Sequence, residues 1–117
     1  MNIVGSLVAS HMMREDYIFT DVIDTHEHPD IDAVVFQFAI GSIPEGVTID
    51  VQQFCGDNGV NFDPMGETQS FDSNTCANGV FGQLAGSLKS SGERYVKFGF
   101  NCNGDVDVLL FGAIIAP

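Results

Sequence analysis

Alternation of apolar and polar side chains with a period of two constrains this chain more than any other feature. It runs through residues 46–62, 92–100 and 105–115, and turn residues separate the three segments. Such alternation is typical of antiparallel strands that place one face on a core. The sequence therefore predicts an all-β protein, an antiparallel β-sandwich of the jelly-roll type with about eight strands.

The strongest central strand is predicted at residues 33–40, because every second side chain there is large and apolar. A further strand is predicted at residues 79–86, where three glycines argue against a helix. The Asn-Gly pair at residues 58–59 predicts a hairpin turn, since these residues readily adopt positive φ angles. Residues 63–78 are polar and rich in turn residues, and we expect a long loop there.

A chain of 117 residues has the size of one domain. We expect residues 16–117 to form the sandwich and residues 1–15 to form an extended N-terminal arm. Two interpretations of the arm stay open. Its apolar residues would add a strand to a neighbouring molecule, or the run Ser10-His11-Met12 is the remnant of a cloning site. The start lacks the positive segment of a signal peptide, so secretion is not expected.

The charge balance is strongly acidic. Sixteen acidic side chains and four basic ones give a formal net charge of −12. Such a surface repels nucleic acid and anionic membranes, so we expect neither as a partner. Three explanations of the acidity stay open: solubility, attraction of cations such as Ca²⁺ or of a basic partner, and a saline habitat.

Signals for catalysis are weak. The three cysteines, Cys55, Cys76 and Cys102, form no Cys-x-x-Cys pair, and we expect buried free thiols rather than a zinc cage. The chain has no Gly-x-Ser-x-Gly elbow and no glycine loop with a lysine for phosphate. The sequence thus predicts a non-enzymatic protein without a resident cofactor.

One cluster has the residue types of a metal site. His26 and His28 would lie on one side of an extended segment, and the Asp32 carboxylate would complete a site for a transition metal. The alternative is a solvated acidic loop with two titrating histidines.

The hairpin and the strand after it resemble small structural proteins of tailed bacteriophage heads. The similar segments are Val-Thr-Ile-Asp-Val-Gln-Gln at residues 47–53, Asp-Asn-Gly-Val-Asn-Phe at 57–62 and Arg-Tyr-Val-Lys-Phe at 94–98. The resemblance implies a decoration or cement protein that sits on the outer capsid surface and stabilises the shell. The same order of segments also resembles discoidin-like, galactose-binding sandwiches, which implies a carbohydrate-binding or adhesin module, in one version dependent on Ca²⁺.

The decoration reading implies a virion protein that is assembled in the host cytoplasm. Its partners would be the major capsid protein and further copies of itself, with a trimer favoured. Apolar residues of the arm and of the last strand would make these contacts through multivalent attachment and strand addition. The expected contact residues are Ile3, Val4, Leu7, Val8, Phe111, Ile114 and Ile115.

Overall fold

A computed structural model describes residues 2–13, 17–75, 78–104 and 106–116, and of these it gives only the backbone for residues 2, 7–13 and 106–109. Two antiparallel sheets pack face to face, which confirms the predicted all-β sandwich. Within the described ranges no helix is long and apolar enough to cross a membrane.

The described residues form nine strands and one short 3₁₀ helix, Thr25–Glu27. The strands are β1 (Asn2–Met13), β2 (Tyr17–Phe19), β3 (Ile23–Asp24), β4 (Ala33–Ile40), β5 (Ile49–Gly56), β6 (Asp63–Phe71), β7 (Val80–Ser87), β8 (Tyr95–Cys102) and β9 (Val106–Ala116). The first sheet has the order β1-β9-β4-β7, and the second has the order β2-β8-β5-β6 with β3 also paired to β8.

The core lies between β4 of the first sheet and β8 of the second. Phe36 and Phe38 point inward from β4 and meet Phe98 and Phe100 from β8. The ring centroids of Phe36 and Phe98 are 5.1 Å apart, and those of Phe38 and Phe100 are 5.9 Å apart. These distances are typical of packed aromatic pairs. The prediction of a central strand at residues 33–40 is confirmed.

Two glycines make room for these rings. Gly82 in β7 and Gly112 in β9 both pair with Phe38 in β4. A Cβ atom would lie 2.5 Å from the Phe38 ring at position 82 and 2.6 Å from the Phe36 ring at position 112. Since both rings are buried, the inner surface beside β4 accepts no side chain at these positions.

The prediction of a loop at residues 63–78 is wrong for its first nine residues, which form β6. β6 is the edge of the second sheet and carries polar side chains on both faces, so the alternation that marks a strand is missing. Pro64 is tolerated there because an edge strand needs no donor on its outer side. Gly66, with φ 77°, lies where the register with β5 shifts, as in a β-bulge.

The apolar start of the chain pairs with its own chain. β1 runs antiparallel to β9 from Asn2 opposite Ala116 to Met13 opposite Val106. Strand addition by the predicted arm is therefore intramolecular in this structure, and β1 forms one edge of the first sheet.

The opposite edge of the first sheet, β7, is partly covered by two glutamines of the second sheet. The Gln53 amide, only 5% exposed, donates from Nε2 to the carbonyl of Ser87 at 2.7 Å and accepts from the Ser87 N–H at 3.4 Å. The Nε2 atom of Gln69 donates to the carbonyl of Gln83 at 2.7 Å. These bonds tie the two sheets together and occupy backbone groups that would otherwise pair with another strand.

Candidate functional site

An aromatic cleft lies on the outer surface of the first sheet. β7 and β9 flank β4 in the same register, so Ala39 faces Phe81 on one side and Phe111 on the other. Phe81 is 86% exposed and Phe111 is 41% exposed. Because Ala39 has only a methyl group, the two rings enclose a cleft of about 330 Å³ above it.

A repeated Phe-Gly pair creates this cleft. Neighbouring residues of a strand point to opposite faces. In Phe81-Gly82 and in Phe111-Gly112 the ring is therefore outside, while the glycine is inside against the core rings. Sequence reasoning missed the cleft. The signal that could have found it is the same dipeptide on two strands that both neighbour β4.

The outer face of the first sheet carries no charge at the positions whose side chains the structure describes. We call this surface the uncharged face. It consists of Ile3, Ser6, Ala33, Val35, Gln37, Ala39, Phe81, Gln83, Ala85, Ser87, Phe111, Ala113 and Ile115, and at one end the Ser87 hydroxyl donates a hydrogen bond to the Asp32 carboxylate. In a chain with a net charge of −12, the charged side chains described therefore lie on other surfaces of the molecule.

The outer face of the second sheet is different. Its first row across the strands is Tyr17, Asn101, Asp50 and Ser70, and the Ser70 hydroxyl donates to Asp50 at 2.6 Å. Such polar and charged side chains are typical of the solvent side of an antiparallel sheet.

Lys97 extends this polar face. Its Nζ atom lies 3.4 Å from the ring centroid of Phe19 and 4.0 Å from that of Phe62. Partial burial lowers the pKa of the Lys97 ammonium, while the two ring faces attract its charge. The two outer faces of the sandwich thus differ in charge: the described side chains of the first carry none, whereas the second carries Asp50 and Lys97 beside an aromatic cluster of Tyr17, Phe19 and Phe54.

Three of the predicted contact residues lie on the uncharged face. Phe111 forms one wall of the cleft, whereas Ile115, four residues further along the same strand, is buried and only 8% exposed. Ile3, 69% exposed, pairs with Ile115 at the β1 margin. Phe81, the most exposed ring, was not among the predicted contact residues.

The other predicted contact residues are placed differently. Ile114 is fully buried in the core, and Val4 packs against that core. Both therefore stabilise the sandwich itself. Leu7 and Val8 belong to β1, with side chains outside the described part of the structure.

The predicted metal ligands His26 and His28 lie in and directly after the 3₁₀ helix rather than on an extended segment. Asp24 caps this helix by accepting a hydrogen bond from the His26 backbone N–H at 3.1 Å. Asp24 also accepts two hydrogen bonds from the Arg94 guanidinium, at 2.9 and 2.8 Å. The guanidinium lowers the pKa of Asp24 to about 2.

Asp32, the third predicted ligand, is engaged by the turn after β7. It accepts hydrogen bonds from the Ser87 hydroxyl and from the Lys89 backbone N–H. The Ser87 hydroxyl is the main reason why the pKa of Asp32 is lowered. Among the residues that the structure describes, no three His, Cys, Asp or Glu side chains are grouped to hold a metal ion. The metal site at His26, His28 and Asp32 stays a prediction.

A more open cleft of about 680 Å³ lies between the loops at residues 45–48 and 72–74. The Asp72 carboxylate there accepts hydrogen bonds from the backbone N–H groups of Asn74 and Thr75, at 2.9 and 3.1 Å. These bonds lower the pKa of Asp72. The carboxylate thus serves the local turn.

Neither of the two cysteines that the structure describes lines either of these clefts. Cys102 is buried and Cys55 is half-buried, and both are free thiols. Cys102 contacts the carbonyl of Gly104. Cys76 lies outside the described residues.

Comparison of the chain with protein-family models gives no match, and comparison with the curated proteins gives none either. The uncharged face and its aromatic cleft are the features from which a function can be inferred.

Proposed function

We propose that this protein is a non-enzymatic structural protein that assembles in several copies on the outer surface of a viral capsid. The observation that carries the proposal is the uncharged face of a chain whose net charge is −12. Contiguous apolar surface of this kind marks interaction sites in proteins that are otherwise well solvated.

The energetics favour multivalent attachment. Phe81 is 86% exposed, and burying a side chain of this size is worth about 1.5–3 kcal/mol. One such contact gives weak binding, because association itself costs several kcal/mol. Repeated on a lattice of identical subunits, the same contact gives high avidity. The acidic remainder of the surface stays in water and keeps the particle soluble.

The edges of the first sheet add a second mode of contact. At β7 the glutamines of the second sheet occupy part of the backbone edge. At β1 the neighbour within the sheet is β9, and on the other side of β1 the Ser6 carbonyl accepts a hydrogen bond from the Asp21 N–H at 3.2 Å, so a strand from a capsid subunit can pair only with the rest of that edge. Ile3 lies at this margin and is 69% exposed. The capsid itself is proposed from the resemblance at residues 47–53, 57–62 and 94–98 to phage-head proteins.

The test is co-sedimentation with expanded capsids of the phage that encodes the chain, prepared without it. We expect saturable binding of the wild-type protein and of the Val60→Ser variant, whose side chain is exposed on the hairpin between β5 and β6. Phe81→Ser should bind more weakly. Wild-type protein that stays in the supernatant up to its solubility limit would contradict the proposal.

A carbohydrate-binding module is the second candidate, and the cleft is the observation that favours it. The Phe81 and Phe111 rings can stack on the apolar side of a sugar, while the adjacent Gln37 and Gln83 amides offer donors and acceptors for hydroxyl groups. This candidate predicts that a glycan raises the melting temperature of the wild-type protein. It also predicts that Phe111→Ala removes the effect, and a panel of soluble glycans without any shift would exclude it.

A further inference from the structure

The cleft has the width of one aromatic ring. β7 and β9 are separated by β4, so their backbones are two strand spacings, or roughly 9.5 Å, apart. A ring placed midway lies roughly 5 Å from both Phe81 and Phe111, within the 4.5–7 Å range of aromatic pairs. Its tip would rest on the Ala39 methyl group at the floor.

We propose that the uncharged face binds a second copy of this chain and that Phe81 of each copy fills the cleft of the other. Phe81 is the most exposed of the large apolar side chains described. A two-fold axis parallel to the strands, between β4 and β7, seats each Phe81 over Ala39 of the other copy. The two Phe81 and two Phe111 rings then form one row with spacings of roughly 5 Å.

The same two-fold axis also brings complementary side chains together in the two rows beside the row of Phe81 and Ala39. Gln37 pairs with Gln83 between β4 and β7, so the axis places Gln37 of one copy opposite Gln83 of the other. Each amide offers both donors and acceptors. Val35 likewise meets Ala85. Large side chains thus oppose small ones and amides oppose amides, which is the self-complementarity that an isologous interface requires.

Charge favours a second copy at this face. Two copies with a net charge of −12 each repel one another, and the rows of Val35, Gln37 and Ala39 let them touch without opposing carboxylates, while Asp32 lies beside Ser87 at one end of the contact. Salt screens the remaining repulsion, since the Debye length is about 10 Å at 0.1 M. Dimerisation should therefore strengthen with salt, whereas binding of a basic partner would weaken.

The area of the contact sets the expected affinity. With the axis between β4 and β7, only these two strands of each copy overlap, and two strands about eight residues long cover roughly 250 Å², whereas a stable complex buries about 800 Å² on each partner. We therefore expect a reversible, concentration-dependent dimer. The inference rests on the proposed function and divides its contacts: the uncharged face joins copies of this chain to one another, and attachment to the capsid uses the β1 edge of the first sheet.

The experiment is sedimentation equilibrium of the full chain at low and at high salt. We expect a monomer–dimer equilibrium that tightens with salt. Phe81→Ser should weaken it at least about fifty-fold, since the dimer buries this ring twice. Gln37→Glu should also weaken it, because it places a carboxylate in each copy on the contact.

Two matched controls separate the face from general effects. Val60→Ser removes another exposed apolar side chain, 79% exposed against 86% for Phe81, and Gln52→Glu adds the same charge to the outer face of the second sheet. Both should keep the dissociation constant within about two-fold of wild type.

Three results would overturn the inference: a monomer at every concentration and salt, a dimer indifferent to Phe81→Ser and Gln37→Glu, or a trimer that persists in both variants. Co-sedimentation with capsids is scored separately. A monomer that still binds capsids would end the dimer proposal and leave the proposed function standing. A dimer that tightens with salt but does not bind capsids would end the proposed function and leave the dimer proposal standing.

Discussion

Gly112 gives the sharpest stability prediction, because it shows how the core fixes the cleft. A Cβ atom at this position would lie 2.6 Å from Cε1 of Phe36 and 2.9 Å from the backbone carbonyl oxygen of Gln37. The Phe36 ring is fully buried, with ring centroids of Phe38 and Phe98 at 5.5 and 5.1 Å, so it has little room to move.

The magnitude of Gly112→Ala follows from two opposing effects. Overpacking of this kind typically costs about 1–3 kcal/mol. Replacing glycine in a strand by alanine returns about 0.5–1 kcal/mol of backbone entropy. We expect Gly112→Ala to lower the free energy of unfolding by about 1–2 kcal/mol.

Urea denaturation measures this effect, and two further variants isolate its cause. Phe36→Leu shrinks the obstructing side chain, so the double variant should show a favourable coupling of at least about 0.5 kcal/mol. Gly104→Ala is the control, since its Cβ would meet only Val47 Cγ2, at 4.0 Å. That variant should be neutral or more stable. Gly112→Ala as stable as wild type, or no coupling with Phe36→Leu, would refute the reasoning.

Two other predictions concern the acidic residues. The pKa of Asp24 in the folded protein is about 2, below its ordinary value of 3.8, so its bond to Arg94 stabilises the fold above pH 3.8 and is lost as pH falls towards 2. The difference in melting temperature between wild type and Asp24→Asn should therefore be full near neutral pH and shrink over that interval, and a constant difference would contradict this. Asp32→Ala should lower the melting temperature with or without EDTA, because it removes bonds to Ser87 and Lys89. A wild-type melting temperature that falls on adding EDTA would instead favour the predicted metal site.

The sequence predicts the interior of this fold well. Val34, Phe36, Phe38 and Ile40 recur at every second position because β4 has the core on one side, and the bounds of β4 match the prediction. The strand at residues 79–86 is confirmed as β7, displaced by one residue. Burial of one face requires apolar residues at every second position of such a strand, and this periodicity can be recognised in the sequence.

The edges of the sheets were harder to predict. β6 has one neighbouring strand and little burial, so its composition is that of a loop. β1 is apolar enough to be recognised as extended, but alternation cannot tell whether a strand pairs with its own chain or with another. Only the register with β9 answers that question.

The candidate site was only partly predictable. Phe111 was expected at a contact surface because the last strand is so apolar. Its partnership with Phe81 depends on β7 and β9 both lying beside β4, which is a long-range property of the topology. The predicted metal cluster had suitable residue types, yet Asp32 hydrogen-bonds to Ser87, far away in sequence.

The measurement that tests the central claim most directly is a dilution series of methyl NMR spectra with labelled alanine. Ala39 and Ala85 lie on the uncharged face within the proposed contact, whereas Ala116 is buried at the end of β9. The account predicts that the Ala39 and Ala85 methyl signals shift with concentration while the Ala116 signal does not. Signals of Ala39 and Ala85 that stay unchanged over the whole series would contradict the claim that this face is where the protein assembles.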